Sequence, residues 1–530
     1  MKAERLDPQT YRAYPELVGD FLAGKAFFSS LDWKPYSLSG AINAAREKPF
    51  TAEKRKLLVD RIRDQYAHAG ISEDGVLTAQ LKSLSSEDSR TITTGHQLCL
   101  FTGPLFFPIK VIQVLKMCSE LNEAGGEFRF IPLFWMASED HDFQEINHCH
   151  LFGKTLDWKS EQGGVVGKYS CSGLSGLLEE MSDIMGEGEN ASFLKDLFRR
   201  AYDAGNDLSA ATRILLHGLF GQKGLVILDA DDSELKKEFA PYLLKDIRES
   251  VSDRTIASFS NELGAHYKLQ VNPRKVNLFY ISDGKRLRID RVKNGFATDG
   301  GSYSWTQDEL LGEVEIEPGR FSPNVVLRPL YQEVILPNVA YVGGPGEVSY
   351  WLQLRSMFQA FDLPMPLLSL RNSFAWLDRA KLDKLAKVGL GITDLFSDEN
   401  QTVSKIARLD EDAGEIDSEA EKIGQAFEAI SKSLREVDAS LESYALAEGR
   451  KAEKLVEDIK RRLVRAKKDR NKQSLDTFWK LREKVFPMGN LHERYDNFVP
   501  YYLKHGPAFF ETLFSETDAA DSRLCVISEV

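Results

Sequence analysis

Apolar positions change their period several times along this chain, and each change predicts a different element. Through the first 90 residues they recur at helical spacing, as in Lys54 to Ile62, and Ser83 to Ser89 is a mostly polar connector. A strand is then expected at Thr91-Ile92-Thr93, ended by Gly95. Gly103-Pro104 turns the chain, and Leu105 to Leu121 has the periodicity of a crossover helix with proline placed for its first turn. Phe128 to Met136 is an almost unbroken apolar run, as a strand buried on both faces requires. Two such strands joined by one helix predict a right-handed βαβ unit.

From about 150 to 215 the pattern loosens, with Gly163-Gly164 and a Ser/Gly-rich stretch after Ser170, which predicts an insertion. Another strand is expected from Gly224 to Asp229. Asn277 to Ile289 alternates around Asp283-Gly284, the signature of a hairpin closed by a type I′ turn, inside a second insertion near 260–320. Ser322-Pro323 reads as a helix start by the cap-then-proline rule. Val339 to Val342 is a strand entering the turn Gly343-Gly344-Pro345-Gly346-Glu347, and Pro366 to Leu370 is the last strand.

Past residue 376 the period becomes seven. Ile416, Ile423, Ile430, Val437 and Tyr444 form one seam with Ala420, Phe427, Leu434 and Leu441, and a second runs through Ala452, Val456, Ile459, Leu463 and Ala466 after Gly449. Asp410 to Glu448 holds 12 acidic and 3 basic residues, while Arg450 to Lys472 holds 4 acidic and 11 basic. Opposite charge on consecutive arms favours an antiparallel hairpin, each arm reaching about 45 Å, though the same complementarity suits pairing between subunits. The expected class is α/β: a Rossmann-like parallel sheet with two connecting insertions and a C-terminal antiparallel α-helical coiled coil. Its parts are a helical segment over 1–90 packing on the core, the core over 91–375, the hairpin over 376–486, and a segment over 487–530 returning to the core.

Composition narrows the partners. The 530 residues carry a net charge of -12, so no nucleic-acid partner is expected. No apolar run reaches the roughly 20 residues of a membrane span. Cys99, Cys118, Cys149, Cys171 and Cys525 are odd in number and scattered, and Met1 to Pro8 lacks an apolar signal core; free thiols and a cytoplasmic location are expected.

Three loops at strand ends carry candidate chemistry. In the first, Gly95 and Gly103 allow close backbone approach, Thr94 and Thr102 supply hydroxyls, and His96 and Gln97 are donors beside a helix N-terminus; this suits phosphate or carboxylate, or is an ordinary strand-to-helix turn. In the second, Glu139-Asp140-His141-Asp142 masses three carboxylates and an imidazole. Such groups are solvated, or bind a substrate ammonium or hydroxyls with His141 as acid/base, or hold a metal together with Glu145, His148 and His150. The third, with Gly343, Gly344 and Glu347, brings backbone close to a ligand or packs helix on strand. Arg328, one turn before Gln332, and Arg371-Asn372 offer bidentate carboxylate clamps or structural ion pairs. Cys99 reads as a core thiol rather than a nucleophile.

Thr94-Gly95-His96-Gln97 with Leu100 to Pro104, Phe134-Trp135 with Glu139 to Asp142, Ser322-Pro323-Asn324 with Leu327-Arg328-Pro329, and Tyr341 to Pro345 resemble, in order, the signature blocks of the cysteine ligase (cysteine-adding enzyme) family of bacillithiol biosynthesis. The resemblance spans about residues 90 to 500. It implies a Rossmann-like core, a coiled coil used to form a homodimer, and ligation of L-cysteine to the amine of glucosaminyl malate. Such amide formation needs an activated carboxylate, so ATP with Mg2+ is expected and no tightly bound metal. His96, Asp140, His141 and Asp142 would then be catalytic, with His96 and Gln97 as donors to phosphate or carboxylate and Asp140, His141 and Asp142 on the amine or sugar hydroxyls. Arg328 and Gln332 would hold the malate carboxylates, and Arg494, in a segment that resembles one packing between coiled coil and core, would meet a second nucleotide. A nucleotidyltransferase acting on a sugar or acid, and a non-catalytic dimeric scaffold, are the competing readings.

Overall fold

The computed structural model describes residues 1–7, 14–31, 33–408, 413–470 and 472–529. They divide into two compact units, one of residues 12–374 with 493–525, the other of 1–11, 375–492 and 526–530.

The first unit is built on five strands: β1 (Ser89–His96), β2 (Arg129–Met136), β3 (Val226–Asp229), β4 (Asn338–Gly343) and β5 (Leu367–Leu370). Their order is β5-β4-β1-β2-β3, and every neighbouring pair is parallel. Ile131, Leu133, Phe134, Trp135 and Met136 are all buried, because helices cover both faces of a parallel sheet. Helix α1 (Phe106–Glu123) connects β1 to β2. Its Val114, Met117, Cys118 and Leu121 pack with Ile92, Phe130 and Val342 and with Ala41 and Ala45 of the N-terminal helix Leu38–Glu47. The chain leaves β1 towards β2 on one side and later adds β4 on the other. The loops after β1 and β4 therefore diverge and leave a crevice at the carboxyl ends of the strands.

The expected insertions take definite form. The first holds the hairpin His148–Leu151/Lys154–Asp157 and the helices Ser175–Met185 and Glu189–Ala201. The second is a five-stranded antiparallel sheet in which Leu278–Ser282 and Lys285–Val292 are joined by Asp283 and Gly284, both at positive φ as a type I′ turn demands. Ser322-Pro323 departs from expectation: Phe321–Pro323 is a strand paired with Leu278–Tyr280. Helix α2 (Arg328–Ile335) starts five residues later with Pro329 in its first turn, and the Asn324 side chain accepts from the N–H groups of Val326 and Leu327 ahead of it. Proline is tolerated at a strand end, so local capping grammar lost to sheet pairing.

In the second unit, the strand Lys2–Leu6 breaks the helical expectation for residues 1–90 and joins a sheet with Leu524–Ser528 and Ser373–Leu377. The coiled coil is an antiparallel hairpin of α4 (Ala413–Arg435) and α5 (Ala439–Arg470). Asp417 pairs with Lys460 near its open end and Arg435 with Glu442 beside the turn. The turn thus lies at 436–438, whereas sequence periodicity placed the break at Gly449, which is helical. A Cβ at Gly449 would sit 3.0 Å from the Cβ of Phe427, so this glycine serves close helix packing rather than chain reversal. Asp410 to Asp412, the start of the predicted acidic arm, lie outside the described residues. Among the described residues no helix is long and apolar enough to cross a membrane.

Candidate active site

A cavity of about 830 Å³ opens at the crevice between β1 and β4. Its wall takes Gly95, His96 and Gln97 from the end of β1, Trp135, Glu139 and Asp140 from the end of β2, and Gly344 and Glu347 beyond β4. Arg328, Arg371 and Arg494 line it, together with Arg274, Arg286 and Arg288 of the second insertion.

Lys110 of α1 stands beneath this floor. Its ammonium donates to the Gly95 carbonyl at 2.5 Å and to Glu347 Oε2 at 2.7 Å. Glu347 lies in the first turn of α3 (Pro345–Gln353) and also accepts from the Gly344 N–H and the Tyr341 hydroxyl. Burial alone would raise its carboxyl, but Lys110 and these donors hold it at about 2. Loss of solvation lowers the Lys110 ammonium in turn. The ionised pair ties β1 to the loop after β4 and fixes both rims of the crevice. Burial, helped by Lys110, lowers His96 to about 4, so its imidazole is neutral at neutral pH, with Nδ1 3.1 Å from the Gln97 carbonyl oxygen.

The wall carries both acidic and basic side chains. Gln97 Nε2 donates to Asp140 Oδ2 and to Glu145 Oε2, each at 2.6 Å, and Asp140 Oδ1 takes the His141 backbone N–H at 2.8 Å. Burial opposes ionisation of Asp140, yet Gln97, the His141 N–H and Arg286 hold its carboxyl below the ordinary value. Glu139 turns instead to the buried Lys236, which also binds Asp231. Arg328 sits among the rings of Trp135, Tyr341 and Trp351 at 5.5 to 5.9 Å and donates to Gln332 and to the Tyr350 hydroxyl. Among the described residues no carboxylate lies within ion-pair distance of Arg328, which leaves a guanidinium charge for an anionic ligand to meet. Arg371 is buried against Glu493 at 2.7 Å.

The structure brings ten of the expected residues into the wall: Gly95, His96, Gln97, Glu139, Asp140, Arg328, Gly344, Glu347, Arg371 and Arg494. Others serve the frame. Thr94 donates to the Val342 carbonyl between β1 and β4, and Gly103, at φ +60, lets the loop close over Cys99. Thr102 is buried in that loop, Gln332 bonds Glu333 within the core, and Gly343 ends β4. Asn372 binds the carbonyls of Asp518 and Asp521. His141 and Asp142 are exposed outside the cavity wall, with Asp142 preceding the short helix Phe143–Ile146.

Lys110, Arg274, Arg286 and Arg288 escaped the sequence reading. A lone lysine inside the apolar run Phe106 to Val114 was a usable signal, since a cation on a buried face needs a partner. The metal alternative gathers no ligand set: among the described residues no three His, Cys, Asp or Glu side chains are grouped to hold an ion. His150 stacks on Tyr495 at 3.9 Å, and Glu145 is engaged by Gln97. Burial pushes the Cys99 thiol up to about 12, which removes it as a thiolate nucleophile.

A doubly wound parallel sheet with a charged cavity at its switch point is a Rossmann-like architecture. Residues 1–372 match the N-terminal Rossmann-like domain, and residues 374–529 the C-terminal coiled-coil domain, of the bacillithiol biosynthesis BshC family. The chain belongs to that family. A relative from Cytophaga hutchinsonii named "Putative cysteine ligase BshC" is 36% identical over 519 residues, covering 97% of each chain. Relatives of the same name from Flavobacterium johnsoniae and Bacillus cereus are 34% identical over 100% of both chains, and 28% identical over 84% of this chain and 86% of theirs.

Proposed function

We propose that this protein ligates L-cysteine to the amine of glucosaminyl malate, the last step of bacillithiol synthesis, after ATP with Mg2+ activates the cysteine carboxylate. The observation that carries the reading is a cavity whose wall holds both the Gln97–Asp140–Glu145 cluster and Arg328, which among the described residues has no carboxylate within ion-pair distance. Amide formation brings together an amine and several anions: the cysteine carboxylate, the malate carboxylates and the phosphates. The carboxylates of the wall suit the amine, and its arginines suit the anions. ATP would supply a leaving group as adenylate or acyl phosphate. The chain itself holds the reactants, keeps His96 neutral as a hydrogen-bonding group, and excludes water from the activated acid.

The test incubates the full chain with cysteine, glucosaminyl malate, ATP and magnesium and follows products by mass spectrometry. Ligated thiol with AMP marks an adenylate, and with ADP an acyl phosphate. Pyrophosphate release without cysteine would favour a nucleotidyltransferase, and ligand binding without turnover a scaffold.

A homodimer through the coiled coil belongs to the same proposal. The seam residues Ile430, Tyr444 and Ile459 stay exposed on the hairpin, at 49%, 63% and 55%, which suits a second copy. Excising residues 413–470 is expected to leave a monomer by light scattering. A biosynthetic enzyme using free cysteine, with five buried thiols, fits the cytoplasm.

A further inference from the structure

Arg286 lies in the second insertion, far in sequence from the loop it touches. Its guanidinium lies over the Phe279 ring at 3.9 Å, Nε donates to Ser322 Oγ at 3.1 Å, and one NH2 group donates to the Pro323 carbonyl at 3.2 Å. The other terminal nitrogen meets His141 Nδ1 at 3.2 Å and lies 3.8 Å from Asp140 Oδ1. The side chain is only 8% exposed, so these contacts leave it one conformation.

The same Nδ1 lies 3.5 Å from Asp140 Oδ1, so two neighbours make opposite demands on it. A guanidinium only donates, and it needs a lone pair on Nδ1; a carboxylate only accepts, and it needs a proton there. Geometry decides the contest. The Arg286 distance is at the edge of a normal hydrogen bond and the Asp140 distance is outside it, while Oδ1 takes the His141 backbone N–H at 2.8 Å. The backbone that carries Asp140 is itself held: the Val166 N–H bonds the Asp140 carbonyl at 2.7 Å, and the Gly167 N–H bonds the Ser138 carbonyl at 2.9 Å. Gly164 in turn abuts the tip of the Arg286 hairpin so closely that a Cβ would fall 1.5 Å from the Gly284 oxygen.

We infer that Arg286 is a positioning residue that selects the tautomer of His141, keeping its proton on Nε2 and making it a hydrogen-bond donor rather than a general base. Nδ1 is taken as an acceptor and Nε2 carries the hydrogen, so neutral His141 has no free lone pair to remove a proton from the attacking amine. Without Arg286, Nδ1–H turns to Asp140 and Nε2 becomes a lone pair. The consequence for turnover rests on the proposed ligation; the tautomer itself does not.

The experiment uses the full-length protein with 15N-labelled imidazoles and reads ring protonation from long-range 1H–15N correlations, with His141 assigned by loss of its signals in His141→Gln. The wild-type protein should show the proton on Nε2. Arg286→Met should move it to Nδ1, and so should Arg286→Lys, whose single ammonium cannot span Ser322, Pro323 and His141 together; either variant suffices if the other does not fold. A proton on Nδ1 in the wild type, or an unchanged ring in the folded variants, overturns the inference. In the ligation assay Arg286→Met should lower kcat/KM about 100-fold. Should wild-type turnover be absent while the tautomer moves as expected, the ligase reading fails and the positioning role stands.

Discussion

Charge is used in opposite ways in the two units. In the Rossmann-like unit opposite charges meet inside: Lys48–Glu333, Lys236–Glu139 and Arg371–Glu493 are nearly free of solvent. On the helical hairpin, Lys422–Glu419 and Arg461–Asp458 lie three residues apart on one helix with every side chain at least half exposed. The buried pairs hold loops and strands in one arrangement, because either partner left alone would be an uncompensated charge in a poor solvent. The hairpin pairs are screened by water and salt and set little beyond solubility and pairing preference.

Substitutions should separate the two regimes. Glu493→Gln leaves Arg371 buried without its carboxylate and weakens the acceptor of the Phe374 N–H, so a loss of about 3–5 kcal/mol is expected by denaturant titration. A loss below about 1 kcal/mol would erase the contrast. Asp140→Asn should lower kcat/KM for ligation at least about 100-fold, or about 2.7 kcal/mol of transition-state stabilisation, with the unfolding midpoint little changed. Near-normal activity would take Asp140 out of the site.

Acidification should act first on two groups of the cavity wall. His96 is held near 4, below its ordinary 6.5, so the native state binds fewer protons than the unfolded one, and stability present above 6.5 is lost as pH falls towards 4. Glu347, held at about 2 against 4.5, adds a second loss as pH falls from 4.5 through 2. Denaturant midpoints at pH 7.5, 5.5 and 4.5 should therefore decline, and His96→Gln should decline less over the same range. On the hairpin, Gly449→Leu crowds Phe427 and should cost about 1–3 kcal/mol in the melting of that unit. Lys422→Gln should change stability by less than about 0.5 kcal/mol.

The parts legible in the sequence are those fixed by near neighbours. The strands at 91, 128, 224, 339 and 366 announced themselves as apolar runs because a sheet covered on both faces tolerates little else. His96, Gln97, Glu139, Asp140 and Glu347 were visible because polar groups at the ends of such runs fall at the carboxyl edge of the sheet. Thr94, Thr102 and Gly103 stood in the same loops, but which side of a loop faces the cavity depends on packing from elsewhere. Gly449 looked like a break and proved a contact, because the sequence shows a missing side chain without showing the Phe427 ring that needs the space.

The sequence by itself determined the class of fold, the strands of the central parallel sheet, the heptad seams and the loops that line the cavity, since hydrophobic period and chain punctuation are local properties. Only the tertiary structure decided which charges meet. It set Lys110 against Glu347, placed Arg328 among aromatic rings, and carried Arg286 across 145 residues to His141. Hydrogen bonds and ion pairs act over a few ångströms, and only the packed chain brings residues that far apart in sequence within that range.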